Sequence, residues 1–264
     1  MLYTTDGLVL RETAVGENDK IINLLTPAEG QITVSAKGAK SGKSKLAGAT
    51  KLFSYSNFEI YKKGEYRYAR EAYIIEPFFG LSASLEAMSL ASYLCDVASD
   101  ITGEGVASVD ILRMTLNAFY VLSKGTKDPA LVKAVYELRA AGYSGFMPDV
   151  RACAECGKEN PEKPMLDVMN GCLYCESCLE KHRAKHKIEL LHIEDAGERD
   201  VFCRLSPSSL AALRFALGAK PERMFSFGLD DDFELKLFSH AAETYLLNHL
   251  EHDFDTLKFY KSIL

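Results

Sequence analysis

No stretch of the 264-residue chain approaches the run of about 20 apolar residues that crosses a bilayer, so no membrane partner is expected. Its start joins no basic residues to an apolar run of about 7–15 residues, so no export signal is expected. The expected setting is therefore the reducing cytoplasm. Catalytic signatures are missing as well. The chain has no His-Glu-x-x-His, no Gly-x-Ser-x-Gly and no dinucleotide-binding fingerprint, and it carries no repeat or low-complexity tract. These absences leave a binding protein, and an enzyme is not expected. With 47% hydrophobic and 26% charged residues the composition is that of ordinary globular domains, and the length suits two of them at about 100–200 residues each.

Positive charge is also in short supply. The net charge of −6 argues against nucleic acid as a partner for the chain as a whole. Its distribution argues the other way for one part. Residues 1–80 carry 11 Lys and Arg against 9 Asp and Glu, whereas the remainder carries 20 against 28, so a weakly basic head (+2) is joined to an acidic body (−8).

Cysteine is present with a pattern. Four of seven cysteines form two Cys-x-x-Cys pairs, Cys153/Cys156 and Cys175/Cys178, with 18 residues between the pairs. Two such knuckles can close on one tetrahedral ion, and four thiolates leave no position for water or substrate. A Zn²⁺ held there is a structural staple and not a Lewis acid. Cys172/Cys175 is a Cys-x-x-Cys too. The Asn170-Gly171 turn favours Cys175 and Cys178 as ligands with Cys172 beside the site, while Cys172 in place of Cys178 stays open. Cys95 and Cys203 read as small apolar core residues.

Short strands dominate the head. Gly7–Leu10, Lys20–Leu25, Gly30–Ser35, Ser56–Tyr61 and Glu65–Tyr73 are apolar or alternating runs with turn residues between them. Five strands in under 80 residues predict a small closed barrel, and the five-stranded OB-fold is the economical choice. After Pro77 the period changes. Helices are expected around Leu85–Ala98 and Ile111–Leu122, over Pro129–Ala141 with a stop at Gly142, from Ser206, and over Phe233–His252 as the last. The fold class is thus mixed β and α: an OB-fold domain at residues 1–80, and a helical domain at 81–264 with a zinc-binding insert at about 151–180.

Several segments imitate known sites. Gly38-Ala39-Lys40-Ser41-Gly42-Lys43-Ser44 resembles a P-loop, but only three residues separate its glycines and poor helix formers follow it, so nucleotide binding is not expected. The same segment has a second meaning. From Lys37 to Lys51 there are five lysines and no acid, the composition of a basic loop that can wrap a phosphate backbone. Tyr66, Tyr68 and Arg70 share one face by period two, either outside, where they offer stacking and charge, or in the core with Arg67 outside. His192-Ile193-Glu194 imitates the His-x-Glu of zinc deaminases but follows both cysteine pairs, and Ala152, not proline, precedes Cys153. His182 and His186, an i,i+4 pair just after Cys178, have the spacing of metal ligands, but their basic stretch (Lys181, Arg183, Lys185, Lys187) reads rather as a solvated helix start.

Taken in order, these elements resemble the bacterial RecO recombination-mediator family over nearly the whole chain. The resemblance rests on Gly7–Leu10 with Gly16-Glu17-Asn18-Asp19, on Gly38–Lys45, and on Leu52-Phe53-Ser54-Tyr55. It rests also on Cys153-Ala154-Glu155-Cys156-Gly157 with Gly171–Cys178. The family has two glycines before the second knuckle where this chain has Gly171-Cys172. The resemblance implies a non-enzymatic protein of DNA repair and recombination. Such a protein binds single- and double-stranded DNA, anneals complementary strands, and joins RecR in loading RecA onto DNA coated by single-strand binding protein. It implies a cytoplasmic, nucleoid-associated location, structural zinc, and DNA contacts at Lys37, Lys40, Lys43, Lys45, Arg67 and Arg70. The competing expectation is a zinc-stabilised protein-interaction scaffold in which DNA contact is incidental.

Overall fold

The computed structural model describes residues 1–186 and 202–264, and for residues 182–186 the backbone alone. They form two compact units, one of Met1–Thr126 with Phe254–Leu264 and one of Lys127–Asp253. The change from strands to helices near Pro77 is a boundary of pattern. The packing groups the first helices with the barrel.

The first unit opens with β1 (Leu2–Val15), β2 (Asp19–Thr26) and β3 (Gly30–Ala36). A single helical turn, α1 (Leu46–Ala49), leads to β4 (Tyr55–Lys63) and β5 (Tyr66–Glu76). These strands close as a barrel in the order β1-β2-β3-β5-β4, with β3 and β5 the parallel pair and β4 returning to β1. That is the order of an OB-like barrel. β1 serves two partners: Leu2–Leu8 pair with β4, and from Leu8 onward it pairs with β2 across an irregularity at Val9/Arg11. Such a bulge bends a long strand around the barrel corner. Alternate residues Ile22, Leu24, Ile32, Val34, Phe58 and Ile60 are buried and fill the interior, as period two requires.

A 3₁₀ turn (Phe79–Ala83) then joins α2 (Leu85–Asp100) and α3 (Val109–Lys124). Phe53 and Phe78, both buried, adopt the left-handed region at φ 69 and 45. Each meets the ring of Phe119 edge-on, at 5.4 and 5.6 Å. Strain at two phenylalanines is thus held in place by one shared aromatic contact.

The β2–β3 turn is clasped by the α2–α3 loop. Gly105 N donates to Glu29 O (2.8 Å) and Ser108 N to Pro27 O (2.9 Å). Gly30 lies at φ +64, and a Cβ there would fall 2.2 Å from Gly103 O. Gly30→Ala is therefore expected to cost about 1–3 kcal/mol, read as a lower urea midpoint with an unchanged slope. A midpoint equal to that of the wild type would show that the loop yields without cost.

The second unit opens with α4 (Pro129–Tyr143), capped by the Asp128 carboxylate on Ala130 N. It continues through β6 (Asp149–Cys153), β7 (Pro164–Asp167), β8 (Cys172–Cys175) and α5 (Glu176–His186). It closes with β9 (Phe202–Arg204), α6 (Pro207–Gly218) and α7 (Asp232–Leu250). The strands form one small sheet, β6-β8-β7-β9. α4 is buried along nearly its whole length, between α6 and α7. It runs past Gly142, and the left-handed glycine is Gly145 at φ 92. Ser206 and Ser209 cap α6 reciprocally, with Pro207 in the first turn. α7 ends at a left-handed Glu251.

A further helix, α8 (Asp255–Ser262), follows where the sequence pattern gave none. It belongs to the first unit and packs on α2, with Phe254 edge-on to Tyr93 (5.5 Å) and Thr256 Oγ1 donating to Asp96 Oδ2 (2.8 Å). None of the described helices is long and apolar enough to cross a membrane. His192-Ile193-Glu194 and Lys187, and the side chains of His182, Arg183, Lys185 and His186, lie outside the described residues.

Candidate metal centre and nucleic-acid interface

β6 and β8 lie side by side, so the end of each presents a cysteine to the same point. Cys153 is the last residue of β6, and Cys156 follows in a turn closed by Gly157 N on Cys153 O (2.9 Å) and Cys153 N on Lys158 O (2.9 Å). Gly157 supplies the left-handed residue that this knuckle requires, at φ 72. Cys175 ends β8, and Cys178 lies in the first turn of α5. The four sulfurs lie within 4.8 Å of one another, with Cys175 Sγ 3.8 Å from both Cys153 Sγ and Cys156 Sγ. Four thiolates at about 2.3 Å from a central ion in tetrahedral array stand about 3.8 Å apart. The donor set and its spacing fit a closed tetrahedral site, so these cysteines are positioned to bind a metal ion.

Cys172 lies outside the cluster, at the start of β8, where it packs partly buried against the module's small core. The sulfurs gathered at one point are thus those of Cys175 and Cys178 with Cys153 and Cys156. Burial opposes ionisation of Cys175, yet hydrogen bonds from Cys178, Ser177 and Cys153 win and bring it down to about 6. The same bond to Cys175 leads in pushing Cys178 up to about 12. Hydrogen bonds that favour the thiolate at Cys175 also favour a cation beside it. Cys95 and Cys203 are buried, as core residues should be.

The second constellation lies on the barrel. Lys37, Lys40, Lys43 and Lys45 follow β3 and are all exposed. Their loop is seated on the β1–β2 turn: Gly38 N donates to Asp19 Oδ1 (2.8 Å), Lys40 N to Asn18 O (2.9 Å) and Lys40 Nζ to Gly16 O (3.1 Å). Lys45 Nζ pairs with Glu71 at 3.3 Å, and Lys37 Nζ lies 5.7 Å from the centre of the Tyr68 ring. The P-loop imitation leads into the one-turn α1, far too short to aim a helix end at phosphate.

On β5 the two alternatives left by the pattern are now decided. Tyr66, Tyr68 and Arg70 face outward, and Arg67 faces in. Arg67 is only 7% exposed and donates to Glu104 (2.8 Å) and Glu29 (3.2 Å). Burial alone would lower its pKa, and the two carboxylates with the Tyr3 hydroxyl outweigh that and raise it. Arg67 ties the barrel to the loop after α2, and its side chain is not offered to a phosphate. Tyr61 and Lys63 share the outer face with Tyr68 and Tyr66, which they oppose directly across the hairpin. Pairing two residues either side of Gly64-Glu65 would have revealed both from the sequence.

A closed OB-like barrel with exposed lysines after its third strand, followed by helices that carry four cysteines positioned to bind a metal ion, is the architecture of a binding protein and not of a pocketed enzyme fold. Comparison with known proteins makes this specific. Residues 1–78 match the model for the recombination protein O N terminal, and residues 82–258 that for its C terminal. The DNA repair protein RecO of Acetivibrio thermocellus is 27% identical over 259 residues, covering 98% of this chain and 96% of that protein. The DNA repair protein RecO of Desulforudis audaxviator is 33% identical over 180 residues (68% and 71%), and that of Listeria monocytogenes 29% over 178 (67% and 69%). The chain belongs to the recombination protein O (RecO) family of DNA repair proteins.

Proposed function

We propose that this chain is a non-enzymatic recombination mediator that holds DNA on its barrel through the lysine arm. The carrying observation is that Lys37, Lys40, Lys43 and Lys45 project from a loop fastened at Gly38 and Lys40, so their charges are gathered in one place on an otherwise acidic protein. Gathered cations displace counterions from a phosphate backbone, which yields affinity indifferent to sequence. Arg70 extends that row, and Arg67 supports it from within through Glu29 and Glu104. Annealing and, with RecR, the loading of RecA onto strands covered by single-strand binding protein are the roles that family membership favours. They place the protein in the cytoplasm, at the nucleoid. Zinc is the metal that four thiolates in a closed tetrahedron favour, and its work there is to fold the module.

The test is fluorescence anisotropy of a labelled single strand of about 30 nucleotides between about 50 and 300 mM salt. The wild type should lose affinity along a log–log slope of about −0.7 per phosphate contact, and a variant with the four arm lysines replaced by alanine should bind weakly with a flatter slope. The net charge of −6 favours a second reading, a scaffold that binds proteins and meets DNA only incidentally. On that reading the arm variant keeps partner binding and repair function intact.

A further inference from the structure

Resting on the barrel as the DNA interface, we propose that the outer face of the β4–β5 hairpin is the element that tells unpaired from paired DNA. Tyr61, Tyr66 and Tyr68 stack on bases that only a single strand exposes. The lysine arm serves both forms alike.

Three observations carry this. The first is exposure. Tyr66 is 72% exposed and Tyr61 41%, although the barrel interior is already filled by aliphatic residues and Phe58. Strand propensity explains a tyrosine in a cross-strand pair, but not a ring standing in water beside a tight turn.

The second is register. Tyr61 opposes Tyr68 on the neighbouring strand, and Tyr66 lies two residues before Tyr68 on the same outer face of β5, so three rings share one side of the hairpin. Neighbouring strands are about 4.8 Å apart. Rings carried on neighbouring strands and two residues apart on one strand can each take a base of an extended strand, whereas a duplex keeps its base faces stacked on one another.

The third is charge. Lys37 lies over Tyr68, Lys63 opposes Tyr66, and Arg70 continues the face of β5, so cations border the rings where a backbone would run. The nearby acids are Glu65 in the turn and, past Tyr68, Glu59 and Glu71. Glu71 is held by Lys45 and by the Tyr73 hydroxyl at 2.8 Å. An apolar peptide would gain nothing from that border of cations, and unpaired nucleotides use both parts.

The experiment compares three labelled probes of equal length: a single strand, the same sequence as duplex, and an abasic strand. The proteins are the wild type, Tyr61→Ala/Tyr66→Ala, Tyr66→Phe and the lysine-arm variant. Base–aromatic stacking implies that the double tyrosine variant loses about five-fold to a hundred-fold on the single strand while duplex affinity stays within about two-fold. Its salt slope should be that of the wild type, because its phosphate contacts are intact. The wild type should bind the abasic strand as weakly as the variant binds the normal one, and Tyr66→Phe should retain single-strand affinity because the ring remains.

Equal losses on single strand and duplex, or none on either, would overturn the proposal. If the lysine-arm variant loses binding and the tyrosine variant does not, the interface reading stands and the stacking face falls. If the wild type binds none of the three probes, both fall.

Discussion

Cys156→Ser strips the metal and unfolds the module formed by β6–β8 and the start of α5, while leaving the barrel folded. The reason is size. The module's core consists of Cys153, Tyr174, Cys178 and Leu179, with Met165, Cys172, Cys175 and Phe202 partly buried around it. So small a core cannot offset the entropy of ordering its chain, and such modules fold on a metal or a disulfide. Structural zinc contributes about 10–16 kcal/mol in small finger domains near neutral pH, and that free energy is folding free energy. Cys156 is the informative position because it is exposed, so serine there disturbs the ligand and not the packing, whereas Cys153 and Cys178 are buried in the core. The expected result is one metal ion per chain in the wild type. In Cys156→Ser the ion should be lost and protease should cut between residues 149 and 186. Cys172→Ser should keep the metal. Metal loss in the Cys172 variant would transfer the ligand role to it.

Lys133→Met is the second large effect, and it needs no ligand. Lys133 lies on the buried face of α4, its Nζ 2.9 Å from Glu137 and 2.7 Å from Glu243 on α7. Burial alone would lower its pKa, yet the two carboxylates prevail and raise it. Removing the ammonium from beside a carboxylate that has no exposure at all should cost about 3–5 kcal/mol. Lys133→Met/Glu137→Leu should recover much of that loss, since the fully buried carboxylate goes with the ammonium and only the partly exposed Glu243 is left without it. Denaturant midpoints of the single and double variants decide it, and a double variant no better than the single would mean that shape and not charge sets the cost. The pH dependence has a definite sign. A raised pKa means stability fully present below the ordinary 10.5 and lost as pH climbs through the higher folded value, so acidification within the neutral range leaves this contribution unchanged.

The barrel was legible because its strands alternate strongly, and the metal site because Cys-x-x-Cys spacing is nearly a coordinate in itself. Arg67 was legible as a cation and misleading as a contact. Its partners Glu29 and Glu104 lie 38 and 37 residues away, and only the clasp between the β2–β3 turn and the α2–α3 loop brings them together. α8 escaped notice because its eight residues are too few to establish a period, and the left-handed Glu251 that separates it from α7 is not a glycine. The small sheet was hidden for a similar reason. Strands of three to five residues show no alternation, and β9 joins β7 from beyond α5. Gly142 gave a false stop, since a glycine in a buried helix can serve close packing as well as termination. Met147 Cε would lie 2.7 Å from a Cβ at that position.

The return of α8 to α2 makes the first unit discontinuous in sequence, with residues 127–253 interposed between its two parts. During synthesis the ribosome delivers the barrel, α2 and α3 long before Phe254, Thr256 and their neighbours emerge. At translation rates of about 5–20 residues per second the nascent first unit waits several seconds before Phe254 and Thr256 reach Tyr93 and Asp96. The first unit is thus begun before the second and completed after it. A stop codon placed between α7 and α8 would therefore register as a defect in the unit that carries the barrel.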